Sequence, residues 1–287
     1  MEQVPATIIQ SIEIITNPSA RYDPDGTTGI INIITKKQRI TGISGQISAN
    51  VGMGDKYATN VALSIRRDKF TWNNTIGWRD YQSGGERTTN NTTTLNDSLF
   101  NLQGKGKGEN ERQSWSVRTG LDYRPTDKLN LSLQFSTGHW GRSRISNQMY
   151  HEFPILATYS SYDENSRGSD FWSINFDFTQ KFSKEKQELS GSVQFRNRVS
   201  EEFNETTRSD ENDVITDRIK NTEDADNKDW RLKLDYVHPL TENRRVEAGI
   251  QSRLSYERDI TGKYEWDTVN VEYNLSLIHI SEPTRPY

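Results

Sequence analysis

The chain has 287 residues, 36 Lys and Arg against 40 Asp and Glu, and a net charge of −4 with the two signs interspersed, so no basic surface is on offer to a nucleic-acid backbone and nucleic acid is not an expected partner. Hydrophobic residues make up only 31%, yet aromatics reach 10% with seven Trp and twelve Tyr, a mixture that fits neither an ordinary packed core nor disorder. Cysteine is absent, which removes disulfides, thiolate metal sites and Cys nucleophiles, and no apolar run is long enough for a membrane-spanning helix.

The first ten residues, "MEQVPATIIQ", lack the basic and apolar regions of a signal peptide, so an exported protein is expected to have its true beginning upstream. The stretch "IIQSIEIITNPSA" reads as a short helix or turn followed by a β-rich run. "YDPDGTTG" reads as tight turns, with Pro24 presetting φ and Gly26 and Gly29 free to take positive φ. "IINIITKK" is nearly continuous in β-branched residues, as expected of a strand buried on both faces. These isoleucines predict a small compact core, separate from the rest of the chain.

From Ile43 the pattern changes to period two. Ile43, Ile47 and Val51 alternate with Ser44, Gln46, Ser48 and Asn50, and eight further segments repeat the alternation. Their apolar rows are Tyr57 to Ile65, Phe70 to Trp78 (with Asn74 the exception), Trp115 to Tyr123, Leu129 to Phe135, Trp172 to Phe182, Leu189 to Val199, Trp230 to Tyr236 and Val246 to Tyr256. Charges such as Arg66, Arg79, Arg118, Asp177, Arg196, Arg231 and Asp235 fall on the opposite face, and none falls in an apolar row.

A soluble β-sandwich also alternates, with its apolar face turned to a core. Three features separate a membrane wall from it. The segments are longer than ordinary soluble strands and match the roughly 9–11 residues that cross a bilayer at a tilt. Aromatics gather toward the row ends, as in Trp72 and Trp78, Trp115 and Tyr123, Trp172 and Phe182, Trp230 and Tyr236. Connections alternate: "RRDK", "RPTDK", "SKEKQE" and "PLTENRR" are brief, whereas the stretches from Tyr81 to Arg112, from Gly141 to about Asp170 and from Glu201 to about Lys228 read as long loops, with "GMGDK" the one short exception on that side. The expected fold is therefore all-β, a partial antiparallel transmembrane β-barrel of about nine strands. Hydrocarbon supplies the cause, since each unpaired backbone group in it costs several kcal/mol and a spanning sheet must close on itself.

The stretch "IEIITNPSARYDPDGTTGIINIITKK", Ile12 to Lys37, closely resembles the C-terminal end of the plug domain of TonB-dependent outer-membrane receptors, in particular the outer-membrane β-barrel branch common in Bacteroidota. Asn17, Pro18, Tyr22, Asp25, Gly26, Gly29 and Asn32 carry the match; many relatives outside that branch have Arg-Gly before the proline where this chain has Thr16-Asn17. The resemblance implies a Gram-negative outer-membrane receptor whose complete barrel has 22 strands. It implies residues 1–39 as the plug end and 40–274 as the first part of the barrel. It also implies a plug that occludes the lumen, a TonB–ExbB–ExbD complex that engages the missing N-terminal part and pulls the plug, and long outer loops that bind a scarce solute: a siderophore, cobalamin, a glycan or a peptide. A surface lipoprotein is a further partner of that scheme. The alternatives are a soluble secreted carbohydrate-binding module and an outer-membrane scaffold or adhesin without transport; the plug-like stretch speaks against the last. "LSLIHISEPTR", Leu275 to Arg285, resembles the translation of a transposase adapter used in sequencing libraries, so 275–287 is expected to be a non-native tail, the other reading being a tenth strand.

Catalysis finds no support. His139, His151, His238 and His279 are scattered without metal spacing or a companion Cys, and neither an enzyme nor a cofactor is expected. "GKGKGEN" lacks the phosphate-loop pattern and reads as a flexible loop; "EDADNKD" echoes a calcium loop, but Lys228 stands at its fifth position and the glycine is missing, so it reads as an acidic solvated loop. The candidate ligand-contacting aromatics are Tyr150, Phe153, Tyr159 and Tyr162, set among amides and hydroxyls; loop-to-loop packing explains them equally well. Glu13, Lys36 and Lys37 are candidates to pair with Arg66 or Arg79 and hold the plug in place.

Overall fold

The computed structural model describes residues 9–15, 30–35, 41–95, 97–241, 244–281 and 284–286, and every element among them is a β-strand. Strands β1 (Ile9–Ile15) and β2 (Ile30–Thr35) pair antiparallel, Glu13 opposite Asn32, as a two-stranded sheet of their own. The expected helix or turn at the start of this stretch is instead a strand from Ile9, in keeping with four isoleucines whose branched Cβ restricts χ1 and favours extended backbone. Asn17, Pro18, Tyr22, Asp25, Gly26 and Gly29 lie outside the described residues, as do Lys36 and Lys37.

All remaining strands form one antiparallel sheet in chain order. They are β3 (Gly42–Gly52), β4 (Lys56–Arg67), β5 (Phe70–Leu95), β6 (Ser98–Thr126), β7 (Leu129–Phe153), β8 (Ala157–Lys181), β9 (Glu188–Ser209), β10 (Ile215–Thr241), β11 (Arg244–Asp267) and β12 (Glu272–Ser281), with β13 (Thr284–Pro286) also against β11. The nine predicted segments are β3 to β11. β12 runs through Leu275–Ser281, so the stretch expected to be a tail lies along β11 as a strand; an open edge accepts extended chain readily, and no functional weight is placed on it. At four of the hairpin turns Asp55, Asp68, Asp97 and Asp213 take positive φ, the conformation that Asp tolerates better than most residues, and Leu156, Lys186 and Val271 take it at three others.

The long loops of the sequence reading are strands instead. Residues 81–95 and 98–112 continue β5 and β6 in unbroken register out to Leu95 opposite Ser98; β7–β8 do the same, and β9–β10 do so up to one register shift between Ile215 and Asp217. Strands of 22 to 29 residues result. The ~17 residues from Trp78 to Leu95 carry the sheet about 58 Å past the aromatic row end at roughly 3.4 Å per residue.

Face assignment follows from register. Phe70 stands opposite Tyr123 and Trp78 opposite Trp115, so the apolar rows of neighbouring strands coincide. The row is bare: Ile47 is 76% exposed, Ile76 52%, Leu133 45% and Leu232 48%. Among the described residues Ala58, Val237 and Pro239 are the buried apolar side chains, while Ser146, Gln148, Ser161, Ser169 and Asp235 are buried polar ones. That inverts a soluble protein, whose apolar face must find a partner layer. A bilayer fits the dimensions. Phe70 and Trp78 are ~27 Å apart along the strand, or about 21 Å along the membrane normal at a typical tilt of roughly 40°. Phe70 stacks on Tyr123 at 4.4 Å at one end of the row, and Phe182 meets Tyr236 edge-on at 6.4 Å at the same end. At the other end the Trp residues step down the sheet, Trp172 standing two residues and Trp230 four residues nearer the short turns than the positions level with Trp115, which is the offset of tilted strands cut by a plane.

Candidate functional site

The polar face divides into two regions. Near the aromatic row ends and between them several of its charges have partners. Asp229 accepts from Arg231 at 3.1 Å, from Arg253 at 2.6 Å and from the Ser255 hydroxyl at 2.8 Å. Lys233 lies 3.6 Å from Asp235. Arg66, proposed from sequence as an anchor for the segment before the wall, donates to the Thr71 hydroxyl at 3.1 Å, and Arg79 lies over the Tyr81 ring at 5.3 Å. The pairing expected with Glu13, Lys36 or Lys37 lies outside the described side chains.

Beyond Trp78 and Trp115, on the long hairpins, the balance changes. Across the sheet, Tyr81 faces Arg112, Arg112 faces Arg142, and Arg142 faces Arg167, a row of three arginines on adjacent strands. Arg144 stands one rung further out between Asn110 and Asn165, and Arg87 further still opposite Gly106. Arg167 meets Glu202 at 3.4 Å, whereas Arg87, Arg112, Arg142 and Arg144 have no carboxylate or hydrogen-bond partner among the described residues. Buried amides and hydroxyls sit beside them: the Thr89 hydroxyl donates to Gln148 Oε1 at 3.1 Å, and Gln148 Nε2 donates to the Ser146 hydroxyl at 3.1 Å.

The four candidate aromatics separate. Tyr150 and Tyr159 are cross-strand partners on the polar face, stacked at 5.3 Å, with Arg208 5.7 Å over Tyr159. Phe153 and Tyr162 belong by register to the other face, each more than a third exposed, and Tyr162 reaches Glu164 at 3.5 Å. Burial, with Glu152 adding to it, raises the Tyr159 phenol above its ordinary pKa.

Sequence reasoning missed the arginine row because it read residues 81–112 and 141–170 as loops and did not extend face parity through them. One signal was present: in "GKGKGEN" the glycines recur every second residue, which is a strand rather than a flexible loop. "EDADNKD" is likewise within β10; Asp226 and Lys228 share a face and pair at 2.9 Å, an extended geometry that does not wrap an ion. Of the histidines, His139 bonds Asp170 at 2.9 Å, His151 bonds Thr158 at 3.0 Å and His238 bonds the Tyr236 hydroxyl at 3.0 Å, three separate pairs.

The model of the outer membrane protein beta-barrel family matches residues 180–277, the part of the chain from the end of β8 into β12. No curated protein matches. Among solved structures the chain is similar to "Crystal structure of ferric citrate transporter FecA in the unliganded form", with 9% identity and a TM-score of 0.30, covering 97% of this chain and 47% of that one. The chain thus spans about half the length of that structure, a likeness too loose to transfer a residue role. With the bare apolar face, the family match places the chain in the outer membrane as a β-barrel wall.

Proposed function

We propose that the chain is part of a TonB-dependent outer-membrane receptor that imports a scarce solute through a plugged barrel. The observation that carries this reading is the presence, in one chain, of the plug-like stretch Ile12–Lys37, which contains β2 and most of β1, just ahead of a lipid-facing wall that begins at Gly42. Residues 1–39 are then the plug end, residues 40–274 the opening strands of the barrel, and residues 275–287 an appendage without a role. β3 and β12 are edges of an open sheet among the described residues, and an edge left bare in hydrocarbon is costly, so further strands are assigned to close the wall.

Each part has a task in this scheme. The apolar rows hold the wall in lipid, the polar face gives the plug a hydrated surface to slide against, and the long hairpins collect the solute. The TonB–ExbB–ExbD complex supplies the pull through the part of the protein upstream, and a surface lipoprotein is a partner for capture. No step makes or breaks a covalent bond in the solute, so the protein is a transporter and not an enzyme.

Uptake by cells carrying the complete protein tests the reading. Labelled siderophore, cobalamin, oligosaccharide and peptide are offered with TonB present, with TonB deleted, and after collapse of the proton gradient. Accumulation of one of them that stops in both deprived conditions is expected. Accumulation that continues without TonB contradicts it.

A further inference from the structure

We propose that the outer end of the polar face is a binding site for a small solute bearing several anionic groups, phosphate, sulfate or carboxylate, held by Arg87, Arg142 and Arg144. The proposal rests on the importer reading and names the class of solute.

Three independent observations lead here. The first is electrostatic. Like charges directly opposite one another on neighbouring strands are unfavourable, yet Arg112 and Arg142 are direct cross-strand partners with Arg167 next in line. Nearer the bilayer Asp229 serves both Arg231 and Arg253, and the arginines there that lack a carboxylate among the described residues, such as Arg79 and Arg198, have no arginine directly opposite them. At the outer end four guanidinium groups stand without a carboxylate among the described residues, which leaves a charge deficit that a ligand can fill.

Shape is the second. On this face β6 presents Gly104, Gly106 and Gly108 in succession, and Gly85 faces Gly108 from β5. A Cβ added at Gly85 would have nothing within 4 Å and one at Gly108 only the Ile145 carbonyl oxygen at 3.7 Å, so these two leave open floor, whereas Gly104 lies under the Tyr150 ring and Gly106 against the Asn147 carbonyl. Two depressions result, of about 420 and 460 Å³, and both are lined by Arg87 and Arg144. The buried Ser146 and Gln148, 3% and 4% exposed, give the second depression a fixed polar floor, and Tyr150 closes its edge. Asp163, the one acid lining it, already accepts from the Thr206 and Ser161 hydroxyls at 2.9 and 3.3 Å.

Location is the third. The site lies past Trp78 and Trp115, on the hairpins beyond the apolar rows, and on the face turned away from lipid. A lipid headgroup therefore does not reach it, whereas a dissolved solute does. Guanidinium suits the task because its planar fork binds two oxygens of a carboxylate, phosphate or sulfate at once and keeps its charge at all physiological pH. Adjacent strands are ~4.8 Å apart, so arginines on β5 and β7, two strands from each other, span a solute with more than one anionic group rather than a single ion.

Calorimetric titration of the full-length protein in detergent micelles tests this with three probes, tripolyphosphate, sucrose octasulfate and citrate, against neutral raffinose. At least one anion is expected to bind, more weakly as salt is raised, and raffinose is not. The double variant Arg142→Gln/Arg144→Gln and the single variant Arg87→Gln are each expected to lose about tenfold or more in affinity, the loss of charge-assisted hydrogen bonds to the ligand. Arg196→Gln, on the same face nearer the short turns, is expected to leave affinity unchanged. Because like charges are removed, the melting temperature of the Arg142/Arg144 variant is expected to hold or rise. The proposal is overturned if no anion binds, if the arginine variants bind as the parent does, or if they melt lower with affinity unchanged, which would assign the arginines to contacts within the protein. Titration needs no TonB, so a failure of the importer reading appears in uptake and not here.

Discussion

Leu133 and Gln134 are neighbours in the chain, and the wall gives them different solvents. Leu133 lies in the bare apolar row, 45% exposed, and Gln134 on the polar face. Leu133→Arg is therefore expected to cost roughly 2–4 kcal/mol in bilayer folding equilibria, and Gln134→Arg less than about 1 kcal/mol; equal costs would deny the assignment of faces. Glycines on this wall are equally specific. Gly138 faces Phe171, and a Cβ there would lie 2.6 Å from the Trp115 carbonyl oxygen and 2.9 Å from the Phe171 ring. Tyr150 covers Gly104 and Phe178 covers Gly191 in the same manner. The ring fills the space a side chain would occupy, so Gly138→Ala is expected to destabilise by about 1–3 kcal/mol in the same measurement. Gly85→Ala, at an open position, is expected to stay within about 0.5 kcal/mol of the parent.

At the scale of the element, the strands that cross the bilayer were legible and their outward extensions were not. Where hydrocarbon bathes one face, the chain must alternate strongly, as it does from Phe70 to Trp78, and the period shows in the sequence. Past the membrane both faces are wet. "ERTTNNTTTL" then offers no contrast of polarity from which to read a period, although its residues pair in register with Ser98 to Lys107. The aromatic candidates suffered from the same gap: without parity, Tyr150 and Tyr159 could not be told from Phe153 and Tyr162, which lie on the opposite face. The short turns, by contrast, declared themselves, whereas the tips of the long hairpins lay inside stretches that read as loops. At the tip between β9 and β10 the Asp210 carboxylate accepts the Val214 and Asn212 backbone N–H groups, each at 2.9 Å, and these hold its pKa below the ordinary Asp value. A lowered folded pKa means that the contribution is present above the ordinary Asp range and is lost as pH falls through the folded value. The amide resonances of Asn212 and Val214 are expected to titrate with a midpoint below that of an unstructured Asp, and a midpoint at or above it would remove the turn bonds. A second carboxylate behaves alike. Burial opposes ionisation of Glu205, but the Tyr273 hydroxyl at 2.6 Å and Arg218 outweigh it and hold Glu205 low, while the Tyr273 phenol is pushed up to about 12, by burial first and then by Glu205.

For the whole molecule, one asymmetry organises the rest: an apolar face without a protein partner among the described residues, backed by a polar face that carries, beyond the bilayer, four arginines without a carboxylate partner among them. The first half anchors the chain in the outer membrane, and the second gives the long hairpins a surface to offer a solute. Site-directed spin labels at Val61, Leu133 and Phe176 of the complete protein in lipid vesicles, each paired with a label one residue on at Ala62, Gln134 and Asp177, measure the asymmetry most directly. Collision with oxygen dissolved in the acyl chains is expected to dominate at the first set, and collision with a water-soluble nickel chelate at the second. Labels at Val61, Leu133 and Phe176 that meet the chelate, or neither reagent, would mean that water or a protein core covers this face, and the account would be wrong.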